Sequence, residues 1–248
     1  MGNYYAGTSG LVLPVPNKTH YPPAFIEKSR LCYYAFLFKS IEINSSFYKI
    51  PQAKTVGKWA EDVPDGFRFT FKLWRGITHE KGLEFNPADI IRLMEAINSA
   101  GNRKGCLLVQ LPPSAKGNLM PQLQYLIGSV KKADPEETWK IALEFRHASW
   151  YTEKILQFAM SSNLSIVLQD IPASATPLHY VAGDTIYLRF HGPGGKYRGS
   201  YPDDVLTEYS TYISEWQEEG KTVYAYFNNT MGDAVQNLIT LNNLVQQP

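Results

Sequence analysis

Eight short apolar or alternating runs recur along the chain, each set off from the next by room for a helix or a long connection: NYYAGT, SIEIN, FRFTFK, GCLLVQL, KIALEFR, SIVLQD, TIYLRF and TVYAYF. Short runs rich in β-branched and aromatic residues, bounded by turn residues, read as strands. Helical patterns fill the gaps at Phe25 to Phe38, Thr55 to Trp59, Pro87 to Ala100, Leu119 to Lys131, Thr152 to Ser162, Pro202 to Gln217 and Ala234 to Val245. Pro87 and Pro202 suit first helical turns, where a missing amide donor costs little. Only IPASATPLHYVAGD, between the sixth and seventh runs, has no helical pattern. Strands that alternate with helices pair in parallel. The expected architecture is therefore α/β: a TIM-type (β/α) barrel of about eight parallel strands, one domain over residues 1–248, with an open doubly wound sheet as the alternative.

Side-chain alternation divides each run into two faces. In WKIALEFRHASW, Ile141, Leu143 and Phe145 fall on one face, and Ala142, Glu144 and Arg146 on the other. The same division sets Phe67, Phe69 and Phe71 against Arg68, Thr70 and Lys72, and Ile41 and Ile43 against Glu42 and Asn44. It also sets Ile186, Leu188 and Phe190 against Tyr187, Arg189 and His191, and Val223, Ala225 and Phe227 against Tyr224, Tyr226 and Asn228. In a barrel the apolar set faces the helices outside, and polar groups at the C-terminal strand ends form the functional mouth.

Composition narrows the partners. With 44% hydrophobic residues, 19% charged residues and a net charge of +1, the chain has no broad electrostatic footprint for duplex DNA or an anionic membrane. Cys32 and Cys106 make neither a disulfide framework nor a CxxC metal motif, which fits a reducing cytoplasm. No segment reads as a signal peptide or a membrane span, so a soluble, cytoplasmic chain is expected. Oligomeric state is not legible.

Several of these stretches look familiar together. GTSG (Gly7 to Gly10), YYAFLFKSIEINSSFYKIP, FRFTFK, ITH, LVQLPP, EFRHASW, YLRFHG and YAYFNNTMGDA resemble, in order, the domain-of-unknown-function 72, or YecE-like, family. The resemblance implies a TIM-type barrel and no particular reaction. Leu11 to Pro14 stand where relatives commonly carry aromatic residues.

Three chemistries are compatible with the inward residues. An enzyme for a small polar anion, phosphorylated or carboxylated and possibly sugar-like, would use Glu144, Glu42, His191 and His147 as acids and bases. Its substrate would be held by Lys72, Arg146 and Arg189, with Asn44, Gln110, Tyr187 and Asn228 as hydrogen-bonding groups. The loop HGPGGKYRGSY adds Gly194 and Gly195, whose amides can approach an oxyanion. A divalent-metal hydrolase or isomerase would instead take Glu42, Glu144 and Asp170 as oxygen ligands, although no cofactor is required by the sequence. A non-enzymatic protein binding sugar, nucleotide or single-stranded nucleic acid would read its ligand through the tyrosines and arginines. No HExxH, GxSxG or Walker pattern occurs.

Overall fold

Each of the eight runs carries a strand in the computed structural model, which describes residues 1–246, and the sixth carries two. In chain order the elements are β1 (Tyr4–Thr8), α1 (Arg30–Leu37), β2 (Ser40–Ile43), α2 (Ser45–Tyr48), α3 (Ala53–Glu61), β3 (Arg68–Lys72), α4 (Arg75–Thr78), α5 (Pro87–Ile97) and β4 (Lys104–Gln110). There follow α6 (Met120–Ala133), β5 (Lys140–Glu144), α7 (Glu153–Ser161), β6 (Ser165–Ile166), β7 (Leu168–Gln169), β8 (Thr185–Phe190), α8 (Asp203–Glu218), β9 (Thr222–Phe227) and α9 (Ala234–Gln246). Helix starts follow local chemistry. The first helix begins at Arg30 rather than Phe25 because the Ser29 side chain accepts from Cys32 N and caps it there. Among the described residues no helix is long and apolar enough to cross a membrane.

All strand pairs are parallel, as alternation with helices requires, but the ladders fall into two sheets, β1-β9-β8-β7 and β2-β3-β4-β5-β6, rather than one continuous ring. Two local causes are visible. Between β1 and β2 the Tyr34 hydroxyl is interposed, accepting from Thr8 N at 2.7 Å and donating to Ser40 O at 3.1 Å, so only the Ser9–Glu42 bridge pairs the two strands. Between β6 and β7 the Val167 carbonyl accepts from Thr176 Oγ1 at 2.8 Å instead of from a neighbouring strand.

The alternation sorts the core as expected. Ile41, Phe69, Phe71, Ile141, Leu143, Ile186, Leu188, Val223 and Ala225 join the helices in one large apolar cluster. Truncating one of the buried phenylalanines to alanine costs about 3–5 kcal/mol in such settings. The opposite faces make a smaller cluster of Cys106, Leu108, Ala142, Val167, Tyr187, Tyr224 and Tyr226. Tyr226 packs against Tyr187 with tilted rings, centroids 5.2 Å apart, and its hydroxyl is bonded to Thr70 Oγ1 at 2.7 Å and Ser40 Oγ at 2.5 Å. This tyrosine layer fills space and forms an apolar floor. The charges stand above it, at the C-terminal strand ends.

Candidate active site

Strand ends bring the polar side chains together. Lys72 ends β3, Gln110 ends β4 and Glu144 ends β5, with Gln110 opposite Glu144 in register; Arg189 lies one residue before the end of β8 and Glu42 one before the end of β2. At the centre is Arg189, 2% exposed. Its Nε and Nη2 donate to the two oxygens of Glu42 at 3.0 and 2.7 Å, and its Nη1 donates to both oxygens of Glu144 at 3.2 and 3.0 Å. One guanidinium from the four-stranded sheet thus joins two carboxylates of the five-stranded sheet. Bidentate pairing of this kind fixes direction as well as charge.

Both glutamates are saturated by other donors. Glu42 also accepts from the Tyr187 hydroxyl at 2.5 Å and from Ser9 Oγ. Glu144 also pairs with Arg146 Nη2 at 2.7 Å. Burial by itself raises a carboxyl's proton affinity, but Arg146 and Arg189 outweigh it at Glu144 and hold that group at about 2. The Glu42 carboxyl is likewise held below its ordinary range, because Arg189, Ser9 and Tyr187 outweigh burial. For Arg189, burial disfavours the charge, yet Glu144 and Glu42 push its proton affinity above the usual range. Both acids are ionised throughout the physiological range.

His191 completes the buried network. Its Nε2 lies 3.1 Å from Arg146 Nη2 and 3.2 Å from Arg189 Nη1, both of which only donate. Nε2 must accept, which places the proton on Nδ1, 3.1 Å from Asp170 Oδ1. Asp170 also accepts from the His191 amide at 2.8 Å and from the Tyr201 hydroxyl. Burial lowers the His191 proton affinity more than Asp170 restores it, so the ring is neutral. Asp170 sets the tautomer.

A cavity of about 190 Å³ opens above this network, lined by Asn44, Phe47, Tyr48, Lys72, Gln110, Arg146, Arg189, Tyr197 and Asn228. No carboxylate is on its wall. Lys72 donates to Gln110 Oε1 at 2.7 Å and its ammonium sits 4.0 Å over the Phe47 ring. Burial, then the neighbouring Arg189, lowers the Lys72 proton affinity from 10.5 to about 8, although the glutamates oppose the shift. Beside it, burial and Lys72 lower His79 to about 4. Two buried atoms on wall residues, Asn44 Oδ1 and Arg146 Nε, have no partner among the described residues. The Asn44 orientation follows from Ser9: its hydroxyl proton goes to Glu42, so its oxygen accepts the Asn44 amide at 3.2 Å. A larger recess of about 490 Å³ beside Trp74, Arg92 and Glu95 carries no buried charge.

The expected residues thus separate into three groups. Lys72, Arg146, Arg189, Asn44, Gln110 and Asn228 share the cavity wall. Glu42, Glu144, Tyr187 and His191 lie beneath it, fully buried. The rest stand apart. His147 caps a 3-10 turn, its ring accepting from Ser149 N at 3.1 Å, outside the cavity. Gly194 and Gly195 shape the loop after β8, where Gly195 N bonds Gly192 O at 2.7 Å, and neither lines the cavity. Arg68 begins β3 and lies over Tyr5 at 5.3 Å, at the opposite end of the strand from Lys72. As a metal set, Glu42, Glu144 and Asp170 do not fit: each is committed to protein donors, and no group of three or more histidines, cysteines or acids among the described residues has a metal-holding arrangement.

Ser9, Phe47, Tyr48 and Tyr197 were not expected in the site. Ser46 Oγ, donating to Lys72 O at 2.7 Å, draws α2 over the end of β3 and brings Phe47 and Tyr48 with it. Tyr197 has a left-handed backbone, φ +62, unusual for a residue with a Cβ. Its amide bonds His191 O at 2.7 Å and its carbonyl accepts from Met231 N at 3.0 Å, fixing the ring at the rim. No pattern within HGPGGKYRGSY signals that strain in advance.

A parallel α/β fold whose C-terminal strand ends converge on one charged site defines a broad class with many chemistries. The chain belongs to the family described as "Protein of unknown function DUF72", which matches residues 5–248. Among curated proteins it is 27% identical to UPF0759 protein YunF of Bacillus subtilis, over 88% of this chain and 86% of that protein. It is also 27% identical to UPF0759 protein YecE of Escherichia coli K12, over 48% of this chain and 42% of that one. Of solved structures, a DUF72 family protein from Enterococcus faecalis V583 matches with a TM-score of 0.81 at 22% identity, covering 99% of this chain and 96% of that one. Another from Thermotoga maritima matches with a TM-score of 0.78 at 22% identity, covering 99% and 100%.

Proposed function

We propose that the chain is an enzyme acting on a small polar anion, phosphorylated or carboxylated, bound in the 190 Å³ cavity. The carrying observation is the distribution of charge: three cations on the cavity wall, with the compensating carboxylates beneath it. Arg146 and Lys72 hold the anion, Arg189 supplies positive potential from below, and Asn44 and Asn228 take the ligand's hydrogen-bonding groups. The Arg146 guanidinium, on the cavity wall, offers charge-assisted donors to a ligand oxygen.

Acid–base work falls to Lys72. It lines the cavity, and burial lowers its proton affinity to about 8, near neutrality. Glu42 and Glu144, saturated and ionised, position Arg189 and Arg146, and neutral His191 accepts from both guanidiniums. The two sheets are taken as halves of one TIM-type barrel over residues 1–248. In support, the Ser9–Glu42 bridge spans one seam and the run 165–169 contributes a strand to each sheet at the other. Placement of the site at the C-terminal strand ends accords with that barrel.

A thermal-shift panel of inorganic phosphate, pyruvate and phosphorylated sugars against their neutral counterparts, at low salt, tests this reading. A ligand at a hundred times its Kd stabilises by about 2.7 kcal/mol, or roughly 5–10 °C for a chain of this size. Equal shifts from anions and neutral counterparts, or no shift from either, would sink it.

A further inference from the structure

We propose that Lys72 is an amine nucleophile that forms an imine with the carbonyl carbon of a small 2-oxo carboxylate held in the same cavity. This rests on the anion-site reading above and deepens it by naming the substrate class.

Three observations lead here. First, Lys72 has no counter-ion: the ion pairs of the site are Arg146–Glu144, Arg189–Glu42 and Arg189–Glu144, and among the described residues none includes Lys72. A lysine placed only to neutralise a buried acid would touch one. Second, it is 9% exposed and beside two guanidiniums, and burial and that positive charge disfavour the ammonium form more than the Phe47 face beneath it supports it. With its proton affinity at about 8, its neutral fraction at neutral pH exceeds that of an exposed lysine, near 10.4, by about two hundredfold. Third, Arg146 lies on the same wall with its side chain nine-tenths buried, a guanidinium suited to a carboxylate. A ligand that uses both the carboxylate receptor and the uncharged amine needs an anionic group adjacent to an electrophilic carbon. The 2-oxo acids have that pair on neighbouring atoms.

The step balances without an oxidant or reductant. The Nζ lone pair forms a C–N bond to C2 while the C=O π pair moves onto oxygen. An amine proton passes to that oxygen, giving a carbinolamine. Loss of the hydroxyl with the second nitrogen proton releases water and leaves C=N between C2 and Nζ. Gln110, accepting from Nζ at 2.7 Å, aims the amine, and the apolar Phe47 face keeps it dry.

The test is reductive trapping: the protein is incubated with pyruvate and sodium cyanoborohydride near pH 8, then analysed by intact mass and peptide mapping. Wild type is expected to gain one reduced adduct, located on Lys72. Lys72→Arg should gain none at that position, with a thermal melt showing that it is folded and wild-type binding of pyruvate read by calorimetry; Lys72→Gln serves as the second comparison if the arginine does not pack. Pyruvate binding without an adduct, or adducts spread alike over surface lysines in wild type and variant, overturns the imine and leaves the anion site standing. Neither pyruvate nor phosphate binding to wild type overturns both.

Discussion

Replacing Glu144 by glutamine keeps the shape and removes the charge, so it isolates what the buried ion network contributes. In the folded chain this carboxylate is fully buried and compensates Arg146 and Arg189 together. Its proton affinity falls from an ordinary 4.5 to about 2, against burial, through those two guanidiniums. A shift of that size corresponds to on the order of 3 kcal/mol, in line with the roughly 3–5 kcal/mol measured when one partner of a buried pair is removed. For a chain of this length the melting temperature should drop by roughly 6–20 °C. The pH dependence has a definite sign. Because the folded value lies below the unfolded one, the wild-type stabilisation is fully present above the unfolded value of 4.5 and is lost as pH falls toward about 2. Thermal melts of wild type and Glu144→Gln from neutral pH down to the acid limit of folding should therefore converge as the medium becomes acidic. A variant that melts within about 2 °C of wild type at neutral pH would refute the ionised, charge-compensating Glu144.

Other consequences follow from the same geometry. Sulfate, whose own charge is constant there, should bind more weakly as pH rises through about 8, where Lys72 loses its proton, and this step should vanish in Lys72→Gln, as read by titration calorimetry. Tyr34→Phe removes the hydroxyl between β1 and β2 and leaves Thr8 N unpaired, which should cost about 1–3 kcal/mol in urea unfolding. Gly192→Ala places a Cβ, at φ +94, against the Arg198 carbonyl, so the loop carrying Tyr197 must move; anion affinity should fall more than the melting temperature does, by calorimetry and thermal melt.

Much of the site was legible because strand alternation is local. Parity alone places Lys72, Glu144, Arg189 and Asn228 on the polar face, and their positions near strand ends put them at one mouth. Parity says nothing about which end of a strand a residue occupies in three dimensions: Arg68 shares a face with Lys72 yet stands at the far end, over Tyr5. Nor does it reveal pairing. The Glu42–Arg189 bond spans 147 residues and the Glu144–Arg189 bond 45, and these contacts turn two expected acid–base groups into ionised anchors. His147 lies just beyond β5, where alternation lapses, and its local bond to Ser149 N wins. The break at Val167 depends on Thr176, from the stretch without helical pattern, and is invisible in the run SIVLQD itself. The family resemblance carried by GTSG, EFRHASW and YLRFHG pointed to the right family, since DUF72 matches residues 5–248.

The central claim is that the cation-lined cavity binds a small anion through Arg146. Its most direct test is a calorimetric titration of inorganic phosphate into wild type and Arg146→Ala at low salt, with thermal melts to establish that the variant is folded. Glu144 keeps its two bonds from Arg189 in that variant, so the network beneath should survive. The account predicts saturable one-to-one binding in wild type and an affinity lower by at least about tenfold in the variant, the loss of one charge-assisted contact worth roughly 1.5–3 kcal/mol. No saturable binding in wild type, or the same affinity in both proteins, would contradict it.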